Sequence, residues 1–212
     1  MWVYLLQKLS WIILTPLFKF FLHLKISGQK NFNLVKQKQF FIIANHISYL
    51  DPFLVSATVP FFKFLKMDFR YMTKAYWFKI YPIIKFLGAY PLKRKQKTLE
   101  KTLAETEKFI EKGKQMLIFP EGTIPKQGER LPVRQGIAYL AKKYNLPILP
   151  IALKGSDRIN GEKSVDIKKI FSRKYSVSVK IGKPFYYNDV ADNNMDYHSV
   201  AYKIMEQVRM IL

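Results

Sequence analysis

The chain holds three histidines, and one of them stands in a setting suited to proton transfer. His46 follows the apolar run Phe40-Phe41-Ile42-Ile43-Ala44 and sits in Asn45-His46-Ile47-Ser48-Tyr49-Leu50-Asp51. A short apolar run of this kind reads as a buried strand. Loops at the carboxyl ends of strands in open α/β sheets are where ligands bind. Asp51 lies five positions beyond His46, so a single turn can bring its carboxylate to the imidazole. A carboxylate bonded to one ring nitrogen fixes the tautomer and favours the imidazolium, and the other nitrogen is left to accept a proton. Such a pair can deprotonate an alcohol as the alcohol attacks a carbonyl. The same Asp51 could instead simply cap a helix opening at Pro52. His23, in an apolar N-terminal segment, and His198, near the C-terminus, read as structural or surface residues.

A second candidate site is Phe119-Pro120-Glu121-Gly122-Thr123, directly after the apolar stretch Gln115–Phe119. Pro and Gly allow a tight turn. Gly122 lets a ligand approach the main chain. Thr123 offers a hydroxyl and an amide, which suit a phosphate or a developing oxyanion. Glu121 is unusual in a site for anions and reads as an orienter of a nearby cation or of a ligand hydroxyl. Taken alone, the segment is also an ordinary strand-exit turn.

Several chemistries are excluded. The chain has no cysteine, so thiol nucleophiles, iron–sulfur clusters and Cys-zinc sites are out. Gly-x-Ser-x-Gly, the phosphate-binding Gly-x4-Gly-Lys-Ser/Thr, His-Glu-x-x-His and Gly-x-Gly-x-x-Gly do not occur. With histidines this scattered, a catalytic metal is not expected.

The charge narrows the partners. Lys and Arg number 36 against 15 Asp and Glu, a net +21, and 16% of residues are aromatic. That predicts a polyanionic partner. Lysines interleaved with Phe and Trp suit a membrane interface, where the ammonium meets lipid phosphate and the ring enters the headgroup boundary. Residues 61–97 concentrate the pattern, with ten cations against Asp68 alone and eleven aromatics among them. Nucleic acid is disfavoured, because the charge is spread along the chain and no recognised nucleic-acid motif occurs. Residues 2–24 are almost wholly apolar, interrupted by Lys8 and Lys19 and by Thr15-Pro16. This falls short of a clean spanning helix. It reads as a hydrophobic hairpin or broken helix lying in one leaflet, with a helix packed on the chain's own core and a single membrane span as the alternatives. It has neither the basic start nor the small-residue cleavage site of a secretory signal.

The positioning elements follow from periodicity. Strands are expected at 40–44, 69–73, 115–119, 148–153 and 175–181. Helices are expected from Pro52, at 96–112, at 134–144 and at 196–212, with a loop at 120–133. Alternating strands and helices predict an α/β fold with a mainly parallel sheet flanked by helices. Residues 1–24 then form a hydrophobic helical membrane-interface segment and 25–212 one α/β domain.

Asn-His-x-Ser-x-x-Asp at 45–51, followed about seventy residues later by Phe-Pro-Glu-Gly-Thr at 119–123, resembles the glycerolipid acyltransferase family. Lys74 through Gly88 to Arg94 is similar to its acceptor-binding block, and Leu146–Ile151 to its fourth block. The resemblance covers about residues 25–185. It implies a glycerol-3-phosphate acyltransferase-like fold and an N-terminal helical motif sunk in the membrane. It implies transfer of a fatty acyl group from a thioester of coenzyme A or acyl carrier protein to the hydroxyl of lysophosphatidic acid, giving phosphatidic acid. His46 would be the base and Asp51 its orienter. Glu121, Gly122, Thr123 and Arg94, joined by Lys74, would bind the acceptor's glycerol phosphate. No resident cofactor is implied, since the acyl thioester is a co-substrate. The partners are then an anionic bilayer and the acyl carrier, and the location is the cytoplasmic face of a membrane, monotopic or peripheral. The chain departs from the family in two places: Ile124-Pro125 replaces the usual Arg after Glu-Gly-Thr, and Lys93 replaces an acidic residue. Lys126, Arg130 and Arg134 are candidates for the missing cation. Another lysophospholipid acceptor, or a non-enzymatic basic membrane-surface protein, are the competing readings.

Overall fold

The computed structural model describes residues 2–212 apart from 93–95, 127–128, 130, 163 and 193. In chain order, α1 spans Trp2–Phe21, β1 Lys25–Ser27, β2 Phe41–Ala44, α2 Asp51–Thr58, α3 Phe61–Phe64 and β3 Phe69–Thr73. Then come α4 at Tyr76–Ile80, β4 at Ala89–Pro91, α5 at Leu99–Glu111, β5 at Gln115–Ile118, α6 at Gly136–Tyr144 and β6 at Ile148–Lys154. The chain closes with α7 at Ile167–Phe171, β7 at Ser178–Ile181 and α8 at Tyr197–Arg209.

The strands form one sheet in the order β1-β7-β6-β2-β5-β3-β4. β6, β2, β5, β3 and β4 are mutually parallel. β7 runs antiparallel to β6 and carries β1 parallel to itself. The sheet is thus mostly parallel, as the alternation of elements predicts, and reversed at one edge. β2 lies at its centre and is buried along its whole length. Its side chains alternate between two cores: Ile42 and Ala44 enter one, Phe41 and Ile43 the other. β5 and β6 alternate likewise, with Leu117, Leu149, Ile151 and Leu153 in the first core and Met116, Ile118 and Ile148 in the second. Period-two alternation with both faces apolar is what a strand covered by helices on both sides requires. α1 and α2 cover the first face through Phe18, Leu54 and Val55. α5, α6 and α8 cover the second, through Leu103, Ile137, Leu140, Ile204 and their neighbours.

The N-terminal segment corrects the hairpin or broken-helix expectation. Trp2–Phe21 is one continuous helix with Pro16 inside it. Pro16 has no N–H to donate, but packing holds the turns on both sides of it. Gln7, Lys8, Thr15 and Phe18 are buried against the domain, and Trp11 stacks on Phe64. Two polar side chains latch the helix down. Gln7 Nε2 donates to the Phe69 carbonyl at 2.7 Å and the Leu87 carbonyl at 3.1 Å, and Gln7 Oε1 accepts from Phe69 N at 3.1 Å. Gly88, at φ +97, makes room for this, because a Cβ there would fall 2.3 Å from Gln7 Nε2 and 2.2 Å from the Phe69 carbonyl oxygen. Lys8 Nζ donates to the carbonyls of Phe64 and Met67, and burial lowers its ammonium from 10.5 to about 8. The opposite face of α1, including Trp2, Leu5, Leu9, Ile12, Ile13 and Phe20, is apolar and exposed. No helix among the described residues is long and apolar enough to cross a membrane.

Other boundaries shift by tertiary context. The helix expected at 96–112 begins at Leu99 because the Thr98 side chain accepts from Lys101 N and starts it there. Only 178–181 of the strand expected at 175–181 pair as a strand.

Candidate active site

His46 lies two residues beyond the carboxyl end of β2, where the chain leaves the sheet. Asn45 seals the exit. Its amide donates to the Leu153 carbonyl at 2.9 Å and accepts from Leu153 N at 2.7 Å. This continues the β2–β6 junction with side-chain bonds past the last paired residues, Ala44 and Ile151. The loop then turns back on itself around Asp51, the first residue of α2.

Asp51 is wholly buried and gathers four donors. Oδ2 accepts from His46 Nδ1 at 3.0 Å, Ile47 N at 2.7 Å and Ser48 N at 2.7 Å. Oδ1 accepts from Ser156 Oγ at 2.9 Å. The carboxylate therefore points back into the loop. The helix cap weighed from sequence is not what it makes, since α2 has no side-chain cap bond. A carboxylate that accepts from two amides and a hydroxyl accepts from His46 as well, so Nδ1 is the ring nitrogen that donates to it and Nε2 is left for another partner. The His46 side chain keeps 19% of its surface exposed while Asp51 keeps none. The ring is reachable and its orienter is not.

The turn after β5 meets the same loop. Gly122 N donates to the Phe119 carbonyl at 3.0 Å, closing a tight turn with Gly122 at φ +68. Phe119 stacks on the His46 ring with centroids 4.3 Å apart and planes at 23°. Glu121 Oε2 accepts from His46 N at 2.8 Å. Glu121 thus holds the main chain of the histidine, a contact the sequence reading of an orienter for a cation or ligand hydroxyl did not contain. Burial pushes its carboxyl above the usual carboxylate range, and the bond from His46 N partly offsets this. Lys74, just past β3, reaches Thr123 Oγ1 with Nζ at 3.4 Å. An ammonium and a hydroxyl so placed are a fitting pair for a phosphate oxygen. Arg134 N donates to the Pro120 carbonyl at 2.8 Å, which brings the exposed Arg134 beside this turn.

The structure thus brings His46, Asp51, Glu121, Gly122, Thr123 and Lys74 to one end of the parallel strands. Arg94, Lys93 and Arg130 lie outside the described residues. His198 is exposed, and His23 is an exposed residue whose Nε2 lies 3.1 Å from the Arg173 carbonyl oxygen. Sequence reasoning missed Ser156. It stands 105 positions from Asp51, and no spacing rule connects them.

The family model described as Acyltransferase matches residues 23–154, more than half of the chain. The chain is 30% identical over 122 residues to the 1-acyl-sn-glycerol-3-phosphate acyltransferase BAT2, chloroplastic, of Brassica napus, covering 55% of this chain and 33% of that protein. It is 29% identical over 144 residues to the 1-acyl-sn-glycerol-3-phosphate acyltransferase of Saccharomyces cerevisiae, covering 65% and 45% respectively. The aligned segments thus span under half the length of these curated relatives. The crystal structure of the 1-acyl-sn-glycerophosphate acyltransferase PlsC from Thermotoga maritima superposes with a TM-score of 0.63 at 20% identity, over 89% of this chain and 70% of that one. That likeness establishes the shared α/β fold.

Proposed function

The chain belongs to the Acyltransferase family, and on that premise we propose that it transfers a fatty acyl group from an acyl thioester to the free hydroxyl of lysophosphatidic acid, giving phosphatidic acid. The observation that carries the reading is the His46–Asp51 pair at the end of β2, seated against the Glu121-Gly122-Thr123 turn.

His46 Nε2 takes the acceptor's hydroxyl proton as the oxygen bonds to the thioester carbonyl carbon. The buried Asp51 carboxylate stabilises the imidazolium that forms. The tetrahedral intermediate collapses, the carbon–sulfur bond breaks, and the thiolate takes the proton back from His46. The products are an ester and a free thiol. The alcohol attacks directly, so no covalent enzyme intermediate and no resident cofactor are called upon. Lys74 and Thr123 hold the acceptor phosphate, with Gly122 allowing its approach to the main chain and Arg94 completing the cation set. Ile124, in place of the family's Arg, makes the acceptor headgroup the point to test.

The donor is acyl-coenzyme A or acyl carrier protein. The protein acts on the cytoplasmic face of a membrane without crossing it. The exposed apolar face of α1, together with Phe62, Tyr76, Ile80 and Ile83, enters the headgroup boundary of an anionic leaflet, and the surrounding lysines meet lipid phosphate.

The test is acyl transfer by the purified protein in mixed micelles, with labelled acyl-coenzyme A or acyl carrier protein. Lysophosphatidic acid is compared with other lysolipids and glycerol 3-phosphate, with His46→Ala in parallel. Phosphatidic acid from the wild type alone supports the reading. Product from another lysolipid keeps the mechanism and reassigns the acceptor. Vesicle binding with no product from any acceptor overturns the enzymatic reading.

A further inference from the structure

The loop that carries the base is held from behind by a segment just beyond the residues matched by the family model. β6 ends at Lys154, and Gly155 turns the chain at φ +89. A Cβ at Gly155 would fall 2.4 Å from the Ser176 carbonyl oxygen, so the turn demands glycine. Ser156 follows, fully buried, and gives its hydroxyl proton to Asp51 Oδ1 at 2.9 Å. One short turn later comes Asn160. Its amide nitrogen donates to the Ile47 carbonyl at 2.8 Å, and its amide oxygen accepts from Ser48 Oγ at 2.8 Å. Asn160's own carbonyl accepts from Lys169 Nζ of α7 at 2.9 Å.

These bonds add restraints from outside the loop to those the loop supplies itself. The three donors from residues 46–48 all meet Oδ2. Oδ1 is set by Ser156 alone among the described hydrogen bonds. Both oxygens turn together about the Cβ–Cγ bond, so a donor at Oδ1 stiffens the same rotation that the donors at Oδ2 restrain, and a hydrogen bond weakens steeply as its angle degrades. Asn160 in turn clamps the main chain at Ile47 and the hydroxyl of Ser48, the two residues next to the base.

Resting on the acyl-transfer reading, we propose that Ser156 and Asn160 are positioning residues of this site. Ser156 stiffens the rotation of the Asp51 carboxylate from its Oδ1 side and Asn160 fixes the path of residues 46–48, so that His46 Nδ1–H stays aligned as the imidazolium forms. Neither touches substrate.

The test pairs kinetics with a measurement that needs no substrate. In Ser156→Ala and Asn160→Ala, kcat falls roughly 3- to 30-fold and KM for both substrates stays within about twofold, as expected for loss of an interaction made in the transition state. Ser156→Cys keeps the size and a weak donor and falls between wild type and alanine; it also serves if the alanine variant folds poorly. With only three histidines, the ring N–H proton resonance of His46 is assigned by its loss in His46→Ala. In Ser156→Ala it shifts or broadens while the fold, checked by thermal melting, persists. An unchanged resonance and unchanged kcat, with only a lower melting temperature, overturn the proposal and leave Ser156 a buried structural hydroxyl. A wild type with no transferase activity overturns the acyl-transfer reading instead. The resonance then still reports whether Ser156 orients the pair.

Discussion

Asp51→Asn separates the charge of the orienting residue from its hydrogen bonds. The asparagine can lie only one way round. Its amide oxygen must take the place of Oδ2, because an NH2 there would face the donors of His46, Ile47 and Ser48. The NH2 then faces Ser156 Oγ, and that hydroxyl can rotate to accept. All four contacts survive, so stability should change by no more than about 1 kcal/mol. Asp51→Ala leaves two amides and a hydroxyl without partners, at about 1–3 kcal/mol for each group that water cannot reach. What the asparagine removes is the negative charge 3.0 Å from Nδ1. Two unit charges at that distance attract by about 5 kcal/mol at an effective dielectric near 20. His46 is partly exposed, which screens the pair, so about 3–4 kcal/mol of imidazolium stabilisation should be lost. That is a fall of roughly 10²–10³ in kcat, with KM little changed. The assay is thiol release from acyl-coenzyme A with lysophosphatidic acid as acceptor, beside thermal melts of both variants. Asparagine activity within threefold of wild type would refute the use of the charge. An asparagine variant as unstable as the alanine one would refute the assigned orientation.

Four further outcomes follow from the contacts and exposed faces described above. Glu121→Gln keeps an acceptor for His46 N, so activity should remain within about tenfold of wild type, while Glu121→Ala, which leaves that amide unpartnered, should lose more. Because the folded Glu121 carboxyl lies above its ordinary value of 4.5, the wild type should lose stability relative to the glutamine variant as pH rises from about 4.5 through the raised value, then level off; parallel curves of stability against pH would count against this. Lys8 is the opposite case. Between about 8 and 10.5 the unfolded chain binds the proton that the folded chain has released. Wild-type stability should therefore climb with pH across that window relative to Lys8→Met, and a constant difference in denaturant melts would contradict the burial of the ammonium. On the outer face of α1, Leu9→Asp and Ile13→Asp should each weaken binding to anionic vesicles about tenfold or more in co-sedimentation, by removing a lipid-facing side chain and adding repulsion. Undiminished binding would mean that this face does not meet the bilayer.

How much of the molecule could be read from the sequence depended on how local the determining physics was. β2 and β5 were legible because continuous apolar runs bounded by polar turns have few other uses in a chain of this composition. The His46–Asp51 pairing was legible because five residues of separation and one turn suffice to join them. What Glu121 does was not legible, although the residue itself stood out. Its bond to His46 N crosses from one strand exit to another, and that neighbourhood is decided by the pairing of β2 with β5. The packed, unbroken α1 ranked only as an alternative in the sequence, for a related reason. Pro16 is a local signal to stop, and it is overridden by Gln7, Lys8, Trp11 and Phe18, whose partners lie far along the chain.

The same distinction explains why the site is divided between strands. A histidine and an aspartate can be placed five positions apart by the local sequence, but their alignment cannot be, because a loop of six residues has no interior of its own. Asn45 borrows its rigidity from β6, His46 from the turn after β5, and Asp51 from the residue after Gly155. Each support comes from a strand that neighbours β2 in the sheet. The parallel order therefore does more than bury apolar side chains. It delivers the exits of β5 and β6 beside that of β2, and the two neighbours between them fix three different residues of the segment from Asn45 to Asp51. A substitution that shifts β6 against β2 without touching any site residue should then lower kcat through Asn45 and Ser156 together, and the Ala44–Ile151 end of that pairing is where the site should be most sensitive.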